Sequence, residues 1–165
     1  MISRKFVFNC FLLVIPILLW NIILVNYLPP SYSSDIFWKD IPLIVAITEN
    51  ILRVIVLALP ALMILSLKTR VQKVGFAVYI IGILLYFMSW AIVIIYPQSG
   101  WSLSLLGFMA PAYSTLLWFV GIGLIGSKVY FKIPFLSKNY ILISLLFVFF
   151  HTLHTYIVFT RLNIN

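Results

Sequence analysis

The stretch IPLIVAITENILRVIVLALPALMILSL, residues 41–67, decides the fold. It is apolar almost throughout, yet its first half carries Glu49, Asn50 and Arg53. If those charges lay at a surface, only VIVLALPALMILSL would remain to cross a membrane. That is about 14 residues, or roughly 21 Å at the helical rise, against a hydrocarbon core of about 30 Å. A helix that starts at Ile41 spans the core with length to spare. It sinks Glu49 about 12 Å and brings Arg53 near the midplane. We take this second reading. Residues four apart share a helix face, so it predicts a buried Glu49–Arg53 ion pair.

The rest of the chain agrees with a lipid environment. Its 165 residues are 64% hydrophobic and 8% charged, with mean hydropathy +1.19. A soluble domain is nearer half apolar and a quarter charged, and a small domain has too much surface to bury such an excess. The expected fold is all-α, a single membrane-embedded domain over 1–165 built as a bundle of five transmembrane helices. They are placed at about 6–28, 41–67, 74–96, 103–126 and 140–160. The basic N-terminus resembles the start of a signal peptide, but its apolar run is too long and no small-residue cleavage site follows. A retained first helix is expected. Asp40 is expected to cap the second helix and Pro42 to sit in its first turn. Pro16, Pro60 and Pro111 are expected to bend their helices.

The net charge of +8 sits mostly in short clusters between the apolar runs. That distribution fixes membrane orientation; it is not the continuous basic face of a nucleic-acid binder. Arg4 and Lys5, then Lys68, Arg70 and Lys73, then Lys128, Lys132 and Lys138 fall on one side, expected to be cytoplasmic. The N-terminus is therefore expected inside and the C-terminus outside, with Arg161 at the outer end, in a prokaryotic-type plasma membrane. Trp38, Tyr96 and Trp101 fit an outer aromatic belt, and Tyr130 and Phe131 an inner one. Cys10 is the one cysteine, which excludes an internal disulfide or a cysteine-based metal site.

Polar residues inside spans are expensive, and they mark functional sites by default. The fifth span holds FVFFHTLHTY, with His151 and His154 three apart on one face. The second and fifth helices run in opposite directions, so Glu49, Arg53, His151 and His154 fall at similar depth. Asn21, Ser89, Trp90, Tyr113, Ser114, Thr152 and Thr155 share that half of the bundle. Together they predict an outer-leaflet polar pocket between helices 2 and 5. Its candidate ligand-binding residues are Glu49, Asn50, Arg53, Trp90, Tyr113, Ser114, His151, His154 and Thr155. GIGLIG, residues 121–126, spells G-x-G-x-x-G, but the dinucleotide reading needs a strand before it and a βαβ unit around it. At the end of a membrane helix, close packing explains the glycines.

Glu49-x-x-x-Arg53 with Phe147-x-x-x-His151 resembles two motifs of the CAAX-protease-like intramembrane metalloproteases, E-E-x-x-x-R and F-x-x-x-H. Thr48 stands where the first glutamate belongs, and no H-x-x-x-N or H-x-x-x-D follows. The resemblance covers about ten residues and assigns no membership. It sits beside an enzyme reading in which Glu49, His151 and His154 act as an acid–base set or as metal ligands. Arg53 competes for Glu49 and repels a cation, which argues against the metal. Two histidines on one helix cannot ligate both faces of one haem. The reading preferred from sequence is a protein that binds, and carries or presents, a lipophilic small molecule such as a lipid, quinone or isoprenoid-like compound. Arg53 holds its head and aromatic residues hold its body. The alternatives are the intramembrane enzyme and a small accessory subunit of a membrane complex. No particular cofactor is indicated; the expected partners are membrane lipids and other membrane proteins.

Overall fold

A computed structural model gives the fold and describes residues 8–126, 128–129 and 136–164. The expectations placed on Arg4, Lys5, Tyr130, Phe131 and Lys132 lie outside the described residues. Five helical segments are long and apolar enough to cross a membrane: Cys10–Tyr27, Leu43–Leu62, Arg70–Ile95, Leu105–Ile125 and Leu136–Leu162. The helices are α1 (Ile15–Leu24), α2 (Ser34–Phe37), α3 (Leu43–Ala58), α4 (Arg70–Ile95), α5 (Leu105–Tyr113), α6 (Thr115–Ile125) and α7 (Leu136–Ile164).

The burial pattern is that of a membrane bundle. The outward face of α3 carries Leu43, Ile44, Ile47, Ile51 and Val54, all exposed and all apolar, while Glu49 is buried on the inward face. A water-soluble helix places these types the other way round. On α7, Leu142, Leu145, Leu146 and Phe149 face out, while Ser144, His154 and Thr155 face in.

Local chemistry moves several boundaries from their expected places. The second helix was expected to reach residue 67; α3 ends at Ala58 and passes into a 3-10 turn, Leu59–Leu62. Pro60 has no N–H to continue the α-helical ladder, so the chain leaves the helix there. It then forms the short strand β1 (Met63–Ile64), paired antiparallel with β2 (Lys128–Val129). Pro16 does not bend the first helix. It sits in the first turn of α1, where its missing donor costs nothing. Asp40 does not cap the second helix either. It adopts a left-handed conformation with φ 51°, and the N-cap position falls to Pro42 without a side-chain cap. Pro111 does break the fourth span, which separates into α5 and α6 at Ser114. The third helix starts earlier than expected, because Thr69 and Gln72 close a capping box at Arg70. Gln72 is fully buried and also donates to the Ile125 carbonyl at 3.3 Å.

Two helix seams organise the bundle. Along α4 and α6, a Cβ added at Gly82 would lie 2.4 Å from the Trp118 nitrogen, and one at Gly121 would lie 2.6 Å from the Tyr79 nitrogen. The backbones meet there because neither glycine has a side chain. The GIGLIG glycines thus serve packing: Gly121 faces α4, Gly123 faces Ile141 of α7, and Gly126 faces Met63 and Cys10. The other seam joins α3 directly to α7, and it is polar. The first span leans on α4, with the Tyr79 hydroxyl donating to the Leu13 carbonyl at 2.8 Å and Trp20 stacked on Phe87.

Candidate functional site

Glu49 is the centre of the polar seam. Counted from Leu43, it lies about 9 Å along α3, and its side chain is fully buried. Arg53, one turn on, donates to Oε1. From α7, His151 Nδ1 lies 3.0 Å from the same oxygen, and His154 Nδ1 lies 2.5 Å from Oε2. Spacing on each helix and antiparallel packing between them bring the four groups together.

A third element, the segment before α3, also contributes. The short α2 leaves carbonyls free at its C-terminal end, and α7 supplies their donors. His154 Nε2 is 2.9 Å from the Phe37 carbonyl. Arg161, about two turns further along α7, donates to the carbonyls of Ile36 and Lys39. Trp38 stands edge-on to His154, ring centroids 4.6 Å apart, and lies under the Arg53 guanidinium at 5.6 Å. Trp38, expected in an aromatic belt, also forms a wall of the site. Residues 36–39 therefore cover the cluster and are held on it by α7.

Two cavities meet at His151 and Trp90. The larger, about 400 Å³, is lined on its apolar side by residues such as Ile17, Leu57, Phe119 and Phe147. Its polar wall comprises Arg53, His151, Asn21, Tyr86 and Thr115. Asn21 is held by the Tyr86 hydroxyl, which donates to Oδ1 at 2.6 Å. The smaller cavity, about 130 Å³, lies between Tyr32, Phe37, Phe108, Trp90, His151 and Thr155. Thr155 is fixed there by donating to the His151 carbonyl at 2.8 Å. His151 has Nδ1 on Glu49, and no hydrogen bond from its Nε2 is seen among the described residues.

The expected site residues thus divide. Glu49, Arg53, His151 and His154 come together, and Trp90 and Thr155 line the adjoining space. Asn50 is exposed and only touches Arg53, with Oδ1 3.4 Å from Nη1, long for a hydrogen bond. Tyr113 and Ser114 do not join the site. They line a separate groove with Leu85, Met88 and Trp101. The Tyr113 hydroxyl donates to the Leu106 carbonyl instead.

Glu49, His151 and His154 are joined by hydrogen bonds, and Arg53 occupies the same carboxylate. Among the described residues no group of three or more His, Cys, Asp or Glu side chains is arranged to hold a metal ion. No protein-family model matches the chain, and neither a curated protein nor a solved structure matches it.

Proposed function

We propose that this chain is an integral membrane protein of a prokaryotic-type plasma membrane that binds, and carries or presents, one lipophilic small molecule. The observation that supports this most is the larger cavity. Its volume falls in the range of small-ligand sites, and its apolar wall with a few grouped polar side chains matches their usual make-up. The head of the ligand sits against Arg53 and His151, and its body against Leu57, Phe119 and Phe147. The proposed orientation has the N-terminus in the cytoplasm, the C-terminus outside and the segment at residues 36–39 toward the outer leaflet. The Lys/Arg asymmetry of the loops supports it.

The test is purification in mild detergent followed by solvent extraction and mass spectrometry. One lipophilic compound per chain is expected. It should be lost in Leu57→Trp, which fills the cavity, and depleted in Arg53→Gln. A wild-type preparation that carries only bulk lipid in the same proportions as both variants would refute the reading. Orientation is checked separately in a Cys10→Ser background: cysteines at Ser34 and Gln98 should label from outside intact cells, and one at Leu67 should not.

One observation favours a second reading. Glu49 holds His151 at Nδ1, and His151 lines both cavities, the arrangement by which a carboxylate orients a histidine base. An intramembrane enzyme would convert the bound compound during incubation, whereas a binding protein would release it unchanged.

A further inference from the structure

Counting protons in the cluster constrains what its ligand carries. The Phe37 carbonyl only accepts, so His154 Nε2, 2.9 Å away, must carry a hydrogen. His154 Nδ1 lies 2.5 Å from Glu49 Oε2, and that contact needs one further proton between the two atoms. If the proton is on nitrogen, the pair is imidazolium and carboxylate. If it is on oxygen, the pair is neutral imidazole and carboxylic acid. Either way the pair sums to zero charge.

Arg53 then stands uncompensated. Its side chain hydrogen-bonds the same carboxylate, but the His154 proton already balances that charge. With His151 neutral, the cluster carries one net positive charge. Among the described residues, the charged and titratable groups that meet it from each packed element are Arg53 on α3, His151, His154 and Arg161 on α7, Tyr86 on α4, and Tyr32, which lines the smaller cavity with His151. Trp38 and the Phe37 carbonyl face it from the covering segment. The only other acidic residues of the chain are Asp35 and Asp40. Asp35 accepts from Ser34, and no contact joins either to the cluster among the described residues. An unbalanced charge at this depth is costly. Arg53 and His151 both open onto the larger cavity.

Building on the proposed function, we infer that the ligand is an amphiphile with a singly negative head, and that its binding is linked to the shared proton: the bound site keeps that proton to higher pH than the free site does. The anion supplies the charge that the protonated cluster lacks. Loss of the shared proton would set the His154 Nδ1 lone pair against the carboxylate and leave the Glu49–Arg53 pair neutral, with no charge left for the anion. Proton and anion therefore bind cooperatively, and by reciprocity each strengthens the other. Anion affinity falls as pH rises, by at most about tenfold per pH unit for one coupled proton.

The probes are hexadecane sulfonate, which stays ionised throughout, and hexadecanol, which has the same chain and no charge. Binding is measured from pH 5.5 to 8.5 to protein in phosphatidylcholine nanodiscs, with empty nanodiscs subtracted. The sulfonate should bind at least tenfold more tightly at the acid end, and its advantage should shrink as pH rises. Titration calorimetry in buffers of different ionisation enthalpy should show little proton uptake at the acid end, rising towards one proton per sulfonate as pH rises and the free site loses its proton, a readout that needs no variant. His154→Gln should flatten the pH dependence. Equal, pH-independent binding of both probes would overturn this inference and leave the lipophile-binding reading standing. Binding of neither probe beyond empty nanodiscs would overturn both.

Discussion

The α4–α6 seam and the α3–α7 seam solve one problem by opposite means. In lipid, apolar contact alone does not drive helices together, so close packing or polar contacts must. The α4–α6 seam uses absence: Gly82 and Gly121 let backbones touch. The α3–α7 seam uses chemistry: Glu49 gathers Arg53, His151 and His154. Glycine contact closes the first seam at those positions. The polar residues of the second hold the helices together but border cavities of about 400 and 130 Å³. The same protein thus has a seam closed by backbone contact at Gly82 and Gly121 and a seam whose polar residues border a space, and Glu49, Arg53 and both histidines lie on the second.

The largest expected effect falls on the polar seam. Glu49→Leu leaves Arg53 and both histidines without their shared acceptor. Breaking a buried pair in this way typically costs about 3–5 kcal/mol. Thermal unfolding in detergent should show the loss, and adding Arg53→Leu should restore part of it, because the orphaned guanidinium goes too. Strictly additive losses would mean that the two side chains do not interact. Gly82→Ala comes next. The added methyl meets backbone, which cannot move aside as a side-chain tip can, and overpacking of this kind costs about 1–3 kcal/mol. It should lower stability while leaving ligand affinity nearly unchanged. Loss of binding without loss of stability would break the division between the seams. Trp38→Leu is the mildest. Removing the ring from under Arg53 should cost about 0.5–1 kcal/mol of stability.

Depth was legible in the sequence, and the direction each side chain faces was only partly so. Residue counting placed Glu49 and Arg53 inside a span and set His151 and His154 level with them, because rise per residue is nearly constant. It could not show that Tyr113 and Ser114 face a different groove. Tyr113, Ser114 and Thr115 follow one another, so consecutive polar residues point to different faces of the span and mark no single one. Trp38 was visible only as an aromatic near a membrane end. Its place in the site depends on a loop held by the carbonyls of Ile36, Phe37 and Lys39, and a carbonyl is present in every residue. Arg161 read as an orientation signal for the same reason. Pro60 was read as a bend in a helix reaching residue 67, so the end of α3 at Ala58 was not legible, nor was the strand pairing of Met63 with Val129, since two-residue strands leave no periodicity to read.

The shared proton between Glu49 and His154 is the central claim, and nitrogen-15 NMR tests it most directly. The chain has two histidines, so ring-labelled protein gives two sets of ring signals, assigned by His151→Gln. The account predicts one ring with Nε2 protonated and Nδ1 fully or partly so, coupled to a strongly deshielded hydrogen near neutral pH. The other ring should be neutral, with hydrogen on Nδ1 and none on Nε2. Two ordinary neutral rings, each with one bare nitrogen and no deshielded hydrogen, would contradict it.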